Sequence, residues 1–262
     1  MNVNHAIILG IIEGMTEFLP ISSTFHLILA SHLMGIADSD FTKVFEVVIQ
    51  SGAILAVALL YLKEVWEDKR LGLQALAAFF PTALIGFLMH DIIKTVFFEA
   101  KMLQLGVIVL VGVLFVVVEM MVSKQKIKLN KTVEKLSYKQ AVLIGLAQSL
   151  AIIPGVSRAG SVIITMMFMQ FRREEAARFS FLLAVPTIFA ASAYDAFKMR
   201  DVLFADAGNL GLLAVGFIVS AITAFIVVRW FLNFLKTNTL IPFALYRFIL
   251  VIVLLLAGYL SF

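Results

Sequence analysis

The sequence predicts an all-α polytopic membrane protein: six transmembrane helices plus two re-entrant helix-break-helix hairpins, arranged as an inverted-topology repeat. Three observations carry this. Of the 262 residues, 62% are hydrophobic and 15% charged, and several runs of about twenty residues carry no charge at all. Two apolar regions are interrupted by proline, glycine and hydroxyl residues, where a spanning helix would be continuous. The interrupted regions also head two stretches of related sequence.

A soluble chain of this length needs more polar surface to cover its core, and a peripheral one confines its apolar residues to helix faces. The chain has no cysteine, which excludes disulfides, thiol catalysis and thiolate metal sites and leaves Glu, Ser, Thr, His and Arg for any chemistry. The first segment has no basic stretch before it and Glu13 within it, so no cleavable signal peptide is expected. Residues 1–262 are read as one membrane domain: repeat half one at 1–122, a basic linker at 123–139, and half two at 140–262.

Taken in order, residues 5–19 and 24–36 are separated by Pro20 and "ISST". At 1.5 Å per residue the first piece reaches only about 22 Å, against a hydrocarbon core of about 30 Å. Spans follow at 44–63, 72–90 and 101–122. In half two, "IIPGVSRAGS" breaks the run at 138–170 with Pro154, Gly155 and Gly160, because proline removes a helix donor and glycine weakens continuity. Spans follow at 179–197, 209–228 and 243–262. Broken helices survive at membrane depth only where protein or a water-filled cavity satisfies the freed backbone, so both regions are read as re-entrant hairpins.

"LGIIEGMTEFLPISSTFHLIL" (9–29) aligns with "IGLAQSLAIIPGVSRAGSVII" (144–164), Gly10 on Gly145 and Glu13 on Gln148; "FEVVIQSGAI" (45–54) aligns with "FSFLLAVPTI" (179–188). One hairpin plus three spans is an odd number of crossings, so the second half inserts upside down. Charge agrees. The linker holds Lys124, Lys126, Lys128, Lys131, Lys135 and Lys139 against the single acid Glu134, which places it in the cytoplasm. Counting spans from there puts Lys63, Lys69, Arg70, Arg172, Arg173, Arg178, Arg229 and Lys236 inside. Lys43, Lys94, Lys101, Lys198 and Arg200 fall outside. The first hairpin then opens to the outer face and the second to the inner.

Glu13 and Glu17 are four apart and stack on one helix face. Two like charges inside a membrane require a divalent cation, a shared proton or an arginine beside them. Ser22, Ser23 and Thr24 are good N-cap residues for a second half-helix that carries His26 on its first turn. Its free N–H groups and dipole make an anion site. In the second hairpin Gly155 and Gly160 allow close backbone approach, Ser157 adds a donor, and Arg158 adds a permanent planar cation. Hairpins meeting tip to tip would bring these groups together, and phosphate suits that point; the blander alternative makes Arg158 a structural partner of Glu13 or Glu17. Glu46 and Asp195 lie in or near the membrane as supporting candidates. His5 and His32 are read as interfacial or packing residues, His90 as a helix-end residue at the outer face, and Glu119 as reaching from the inner end of its span toward the linker lysines.

"EGMTEFLPISST.H", "PG.SR.G" and "FSFLLAVP" together resemble the bacterial undecaprenyl pyrophosphate phosphatase family, also called the bacitracin-resistance protein family. The resemblance runs over essentially the whole chain. Its E-x-x-x-E falls on Glu13 and Glu17, its SST-x-H on Ser22, Ser23, Thr24 and His26, and its PG-x-SR on Pro154, Gly155, Ser157 and Arg158. It implies hydrolysis of undecaprenyl pyrophosphate to the monophosphate carrier lipid of cell-wall synthesis. It also implies a divalent metal and a site open to the periplasmic side of the bacterial inner membrane; the ion is expected to be Mg2+ or Ca2+, held by Glu13 and Glu17. The chain departs from the family pattern at Phe25, where glycine is usual, at Ala159 for serine, and at Val162 for threonine; Ser161 is a substitute phosphate donor. Phosphate contacts are expected from Arg158, Ser157, Gly155, Ser22 and Thr24. Ser23 is the preferred nucleophile with His26 as its base, and the rival assignment has His26 as nucleophile oriented by Glu17. Expected partners are the polyprenyl diphosphate and membrane lipids, with no nucleic acid; a homodimer is compatible with the sequence. From another functional class, the inverted repeat also fits a lipid-phosphate transporter or flippase.

Overall fold

The computed structural model describes residues 1–37, 39–92, 100–200 and 207–259. Lys94 and the side chain of His90 lie outside the described residues. Among those described, the regular structure is helical. Helices α1 (Val3–Thr16), α2 (Ser23–Leu33), α3 (Asp40–Glu67), α4 (Lys69–Ile92) and α5 (Lys101–Ser123) come first. They are followed by α6 (Tyr138–Ser149), α7 (Arg158–Phe168), α8 (Arg173–Lys198), α9 (Ala207–Thr237) and α10 (Ile241–Leu256). Five of the described helices, α3, α4, α5, α8 and α9, are long and apolar enough to cross a bilayer. This is a multi-pass membrane protein. The stretch expected as a sixth span is shorter: α10 has 16 residues, about 24 Å at 1.5 Å per residue. Both predicted interruptions are present as helix, break, helix, between α1 and α2 and between α6 and α7.

Two compact units draw on both sequence halves. The first comprises Met1–Leu19, Ser23–Lys69 and Phe181–Phe231; the second comprises Pro20–Ser22, Arg70–Ser180 and Leu232–Phe262. In the first, the Asn2 side chain accepts the His5 N–H at 3.0 Å and starts α1. Ala6, Leu9, Leu27, Val44, Phe45, Ile49 and Leu213 form a buried cluster across α1, α2, α3 and α9. Gly10 and Gly14, one turn apart on α1, are what let α9 approach. A Cβ on Gly10 would lie 2.8 Å from the Gly216 carbonyl oxygen, and one on Gly14 2.6 Å from that of Ser220. Lipid supplies little hydrophobic drive between helices, so such close backbone packing takes its place.

In the second unit the same device joins α6 to α4. A Cβ on Gly145 would lie 1.9 Å from the Ala78 carbonyl oxygen and 2.7 Å from Pro81. Thr82 Oγ1 donates to the Gly145 carbonyl at 2.8 Å and accepts from Gln148 Nε2 at 3.0 Å. The spacing Ala78, Pro81, Thr82 repeats that of Gly216, Val219, Ser220, and Gly145 repeats Gly10. Each half therefore lends its second long helix to the first helix of the other half.

The linker is built into the second unit. Gln74 Nε2 and Arg70 both donate to the Leu136 carbonyl, at 2.6 and 3.0 Å. The Asn130 and Lys131 N–H groups donate to the Gln170 carbonyl, and the Arg172 N–H to that of Lys131. Ser137 and Gln140 form a capping box at the start of α6. The expectation for Glu119 is corrected. Its buried carboxylate takes a two-pronged contact from Arg173 and accepts the Leu240 N–H at 2.9 Å. A planar guanidinium with matching fork geometry outcompetes solvated linker ammoniums for a buried carboxylate.

Candidate active site

The first break begins where α1 runs out. Pro20 cannot donate to a continuing helix, and Ser22 turns the chain with a left-handed φ of 74° just before α2. Glu13 is fully buried and Glu17 nearly so; the Glu17 N–H still donates to the Glu13 carbonyl at 2.9 Å, so the two carboxylates sit one turn apart. The Ser23 hydroxyl, on the first residue of α2, donates to Glu17 Oε2 in a short contact. Helical spacing alone had offered His26 as the acceptor. His26 and Thr24 are half-buried on the first turn of α2. Phe25 is fully buried, and its ring meets His26 edge-on at a centroid distance of 6.2 Å. The bulk at this departure from the family pattern is therefore taken up inside the protein while the imidazole keeps its place on the helix. Glu46 lies half-buried on α3.

The second break reproduces the first. Ser157 has a φ of 70° immediately before α7, and its Oγ accepts the Gly160 N–H at 3.2 Å as the N-cap. Gly155, at φ 100°, sits where a Cβ would meet the Gln104 carbonyl oxygen at 2.9 Å, so only glycine fits. Arg158 opens α7, with Nη1 donating to the Ser180 carbonyl at 2.9 Å. Ser161 donates to the Arg158 carbonyl at 2.9 Å, which commits its proton and weakens it as a replacement phosphate donor. Asp195 is half-buried near the end of α8.

The breaks are tied to each other within the second unit. The Gly155 N–H donates to Ser22 Oγ at 3.3 Å. Sequence reasoning passed over a second tie, Arg247 on α10, which is fully buried and donates to the Pro20, Gly155 and Val156 carbonyls. A charged residue inside an otherwise apolar 16-residue helix was the available signal.

Among the described residues no group of three or more His, Cys, Asp or Glu side chains gathers as a metal cage. The donor set nevertheless fits a hard dication bound with substrate. Mg2+ commonly takes one or two carboxylates and completes its shell with phosphate oxygens and water. Glu13 and Glu17 supply that pair.

The comparisons agree over nearly the whole length. The family model described as bacitracin resistance protein BacA matches residues 6–253. An undecaprenyl-diphosphatase of Wolinella succinogenes is 44% identical over 255 residues, covering 97% of this chain and 98% of that protein. Those of Campylobacter fetus and Aquifex aeolicus are 46% and 45% identical, covering 95% and 94% of this chain and 96% and 94% of theirs. With two proline-broken hairpins, paired glutamates ahead of a serine and an arginine at the second half-helix, the chain belongs to the bacitracin resistance protein BacA family.

Proposed function

We propose that this chain is an integral-membrane phosphatase that hydrolyses undecaprenyl diphosphate to undecaprenyl phosphate and inorganic phosphate, recycling the carrier lipid for cell-wall synthesis. The observation that carries the mechanism is the hydrogen bond from Ser23 to Glu17. A serine hydroxyl is a weak nucleophile until a neighbouring base accepts its proton, and Glu17 is already in the accepting position. Ser23 Oγ attacks the terminal phosphorus as its proton passes to Glu17. The bond from that phosphorus to the bridging oxygen breaks, and undecaprenyl phosphate departs. Water, deprotonated by His26, then attacks the phosphoserine; inorganic phosphate leaves, Ser23 Oγ recovers the proton from Glu17, and His26 passes its proton to solvent. Arg158 and the amides that open α2 and α7 stabilise charge on the phosphoryl oxygens. A divalent cation on Glu13 and Glu17 would neutralise the diphosphate.

Phosphate release from undecaprenyl diphosphate by purified protein, with and without chelator, tests this directly. Arg158→Ala is expected to lower kcat by about 10²- to 10³-fold, the cost of removing one donor to developing charge. Release that survives both the chelator and Arg158→Ala would overturn the assignment.

For topology the same proposal takes two re-entrant hairpins, α10 as the sixth span, and inverted halves in the bacterial inner membrane, with catalysis at the outer face. The matched packing of Gly10 and Gly145 and the matched turns at Ser22 and Ser157 support the repeat; the lysines of 124–139 support its orientation. Because the chain has no cysteine, single substitutions report sidedness. In intact cells Lys43→Cys is expected to label with a membrane-impermeant maleimide and Gln125→Cys only after lysis; the reverse pattern would invert the topology.

A further inference from the structure

We infer that Arg247 is a positioning residue for catalysis, a fork that holds the two helix breaks in register through their backbone carbonyls. This inference rests on the phosphatase reading above. Arg247 lies near the middle of α10 and is fully buried. Its Nε donates to the Pro20 carbonyl at 2.9 Å and its Nη1 to the Gly155 carbonyl at 2.9 Å. Longer contacts run from Nη1 to Ile108 and from Nη2 to Val156, both at 3.4 Å. Its guanidinium also stands 5.6 Å from the centroid of the Phe115 ring, a favourable face for a cation. Phe115 in turn underlies α7, where a Cβ on Gly160 would come 3.1 Å from its ring.

Three of the four acceptors, the Pro20, Gly155 and Val156 carbonyls, lie in the breaks, and the fourth, Ile108, lies within α5. Proline and glycine create the breaks, and the freed carbonyls must find a donor inside the protein. One planar group with five donors reaches three chain segments at once, which an ammonium with three donors on a flexible stem cannot do at the same angles. None of the acceptors is a carboxylate, and among the described residues no ion pair forms to Arg247, so its charge is left to act on the breaks.

The link to chemistry is short. Pro20 lies three residues before Ser23, and the Gly155 and Val156 carbonyls lie three and two residues before Arg158. Ser22 also accepts the Gly155 N–H. The fork therefore fixes the chain just ahead of the proposed nucleophile and just ahead of the proposed phosphate-binding cation. Displacement of reacting groups by about 1 Å can cost about a hundredfold in rate.

The test compares Arg247→Lys and Arg247→Met with wild type in detergent, using fractions that elute as a single species. Both are expected to lower kcat about a hundredfold while KM changes less than about threefold, since alignment rather than substrate binding is lost. Lysine is expected not to rescue, because charge without the fork does not bridge the breaks. A kcat within threefold of wild type in either variant, or full rescue by lysine, overturns the inference. An activity-independent reading comes from Val156→Cys, a buried position in a chain otherwise free of cysteine. Maleimide labelling there is expected to speed up at least tenfold with Arg247→Lys, and unchanged labelling overturns the clamp. This reading stands even if wild type releases no phosphate, an outcome that would sink the phosphatase reading alone. If neither variant folds, Arg247→Gln, which keeps a planar donor but not the fork, is measured in their place. It is expected to lower kcat at least about tenfold at constant KM, and wild-type kcat in that variant overturns the inference.

Discussion

Ser23→Ala is expected to reduce phosphate release at least about a thousandfold with the protein still folded, and Glu17→Gln to follow it to within about tenfold. In the proposed mechanism the Ser23 oxygen is the attacking atom, so its removal leaves no group to perform the step; a loss of that size corresponds to about 4 kcal/mol of transition-state stabilisation. Glu17→Gln keeps the size and a hydrogen-bond acceptor but removes the base, an effect of about 10²- to 10⁴-fold. The folding control matters because Ser23 is half-buried and Glu17 almost wholly so. Burst kinetics read the assignment further. His26→Ala is expected to release one equivalent of undecaprenyl phosphate per protein and then stall, since attack is intact and water activation is lost. A His26→Ala protein without any burst, beside a Ser23→Ala protein that retains one, would exchange the roles and make His26 the nucleophile.

Gly145→Ala is expected to be the most destabilising single methyl that can be added to the described helices. The new Cβ would fall 1.9 Å from the Ala78 carbonyl oxygen, a backbone atom in α4 that no rotamer change can move. Relief requires α6 to withdraw from α4, which lengthens both the Thr82 bond to the Gly145 carbonyl and the Gln148 bond to Thr82. Overpacking of this kind costs about 1–3 kcal/mol, and each loosened buried hydrogen bond adds about 1 kcal/mol. A melting temperature lowered by several degrees, or loss of the folded fraction, is expected. Gly211→Ala, at an α9 position with nothing within 4 Å, is the control and should be neutral or slightly stabilising, because alanine is the better helix former. Equal melting temperatures for the two variants would mean that α6 does not approach α4 as closely as described.

Much of this was legible in residue order. Apolar runs located the five long helices, because in lipid a span needs only length and the absence of charge. Pro20, Pro154 and Gly155 located both breaks, since their effect on the backbone is local and independent of fold. Glu13, Glu17, Ser23 and Arg158 stood out because ionisable and hydroxyl groups are rare and costly at that depth. Other features were beyond its reach. The Glu119 pairing with Arg173 went unseen because it links residues 54 apart in the chain, where the nearer lysines offered a plausible local answer. Arg247 carried a signal, a charge within an apolar run, but its partners, carbonyls from three distant segments, do not show in residue order.

Membrane class and the two breaks were thus set by local composition and spacing, which act through rules that hold residue by residue. Three things waited for folding. These are the packing of each half's first helix on the other half's second long helix, the choice of Glu17 as acceptor for the Ser23 hydroxyl, and the joining of the two breaks by Ser22 and Arg247. Each depends on angstrom-scale distances between segments far apart in sequence. No periodicity encodes such a distance, because it is the outcome of many helices settling their packing at once.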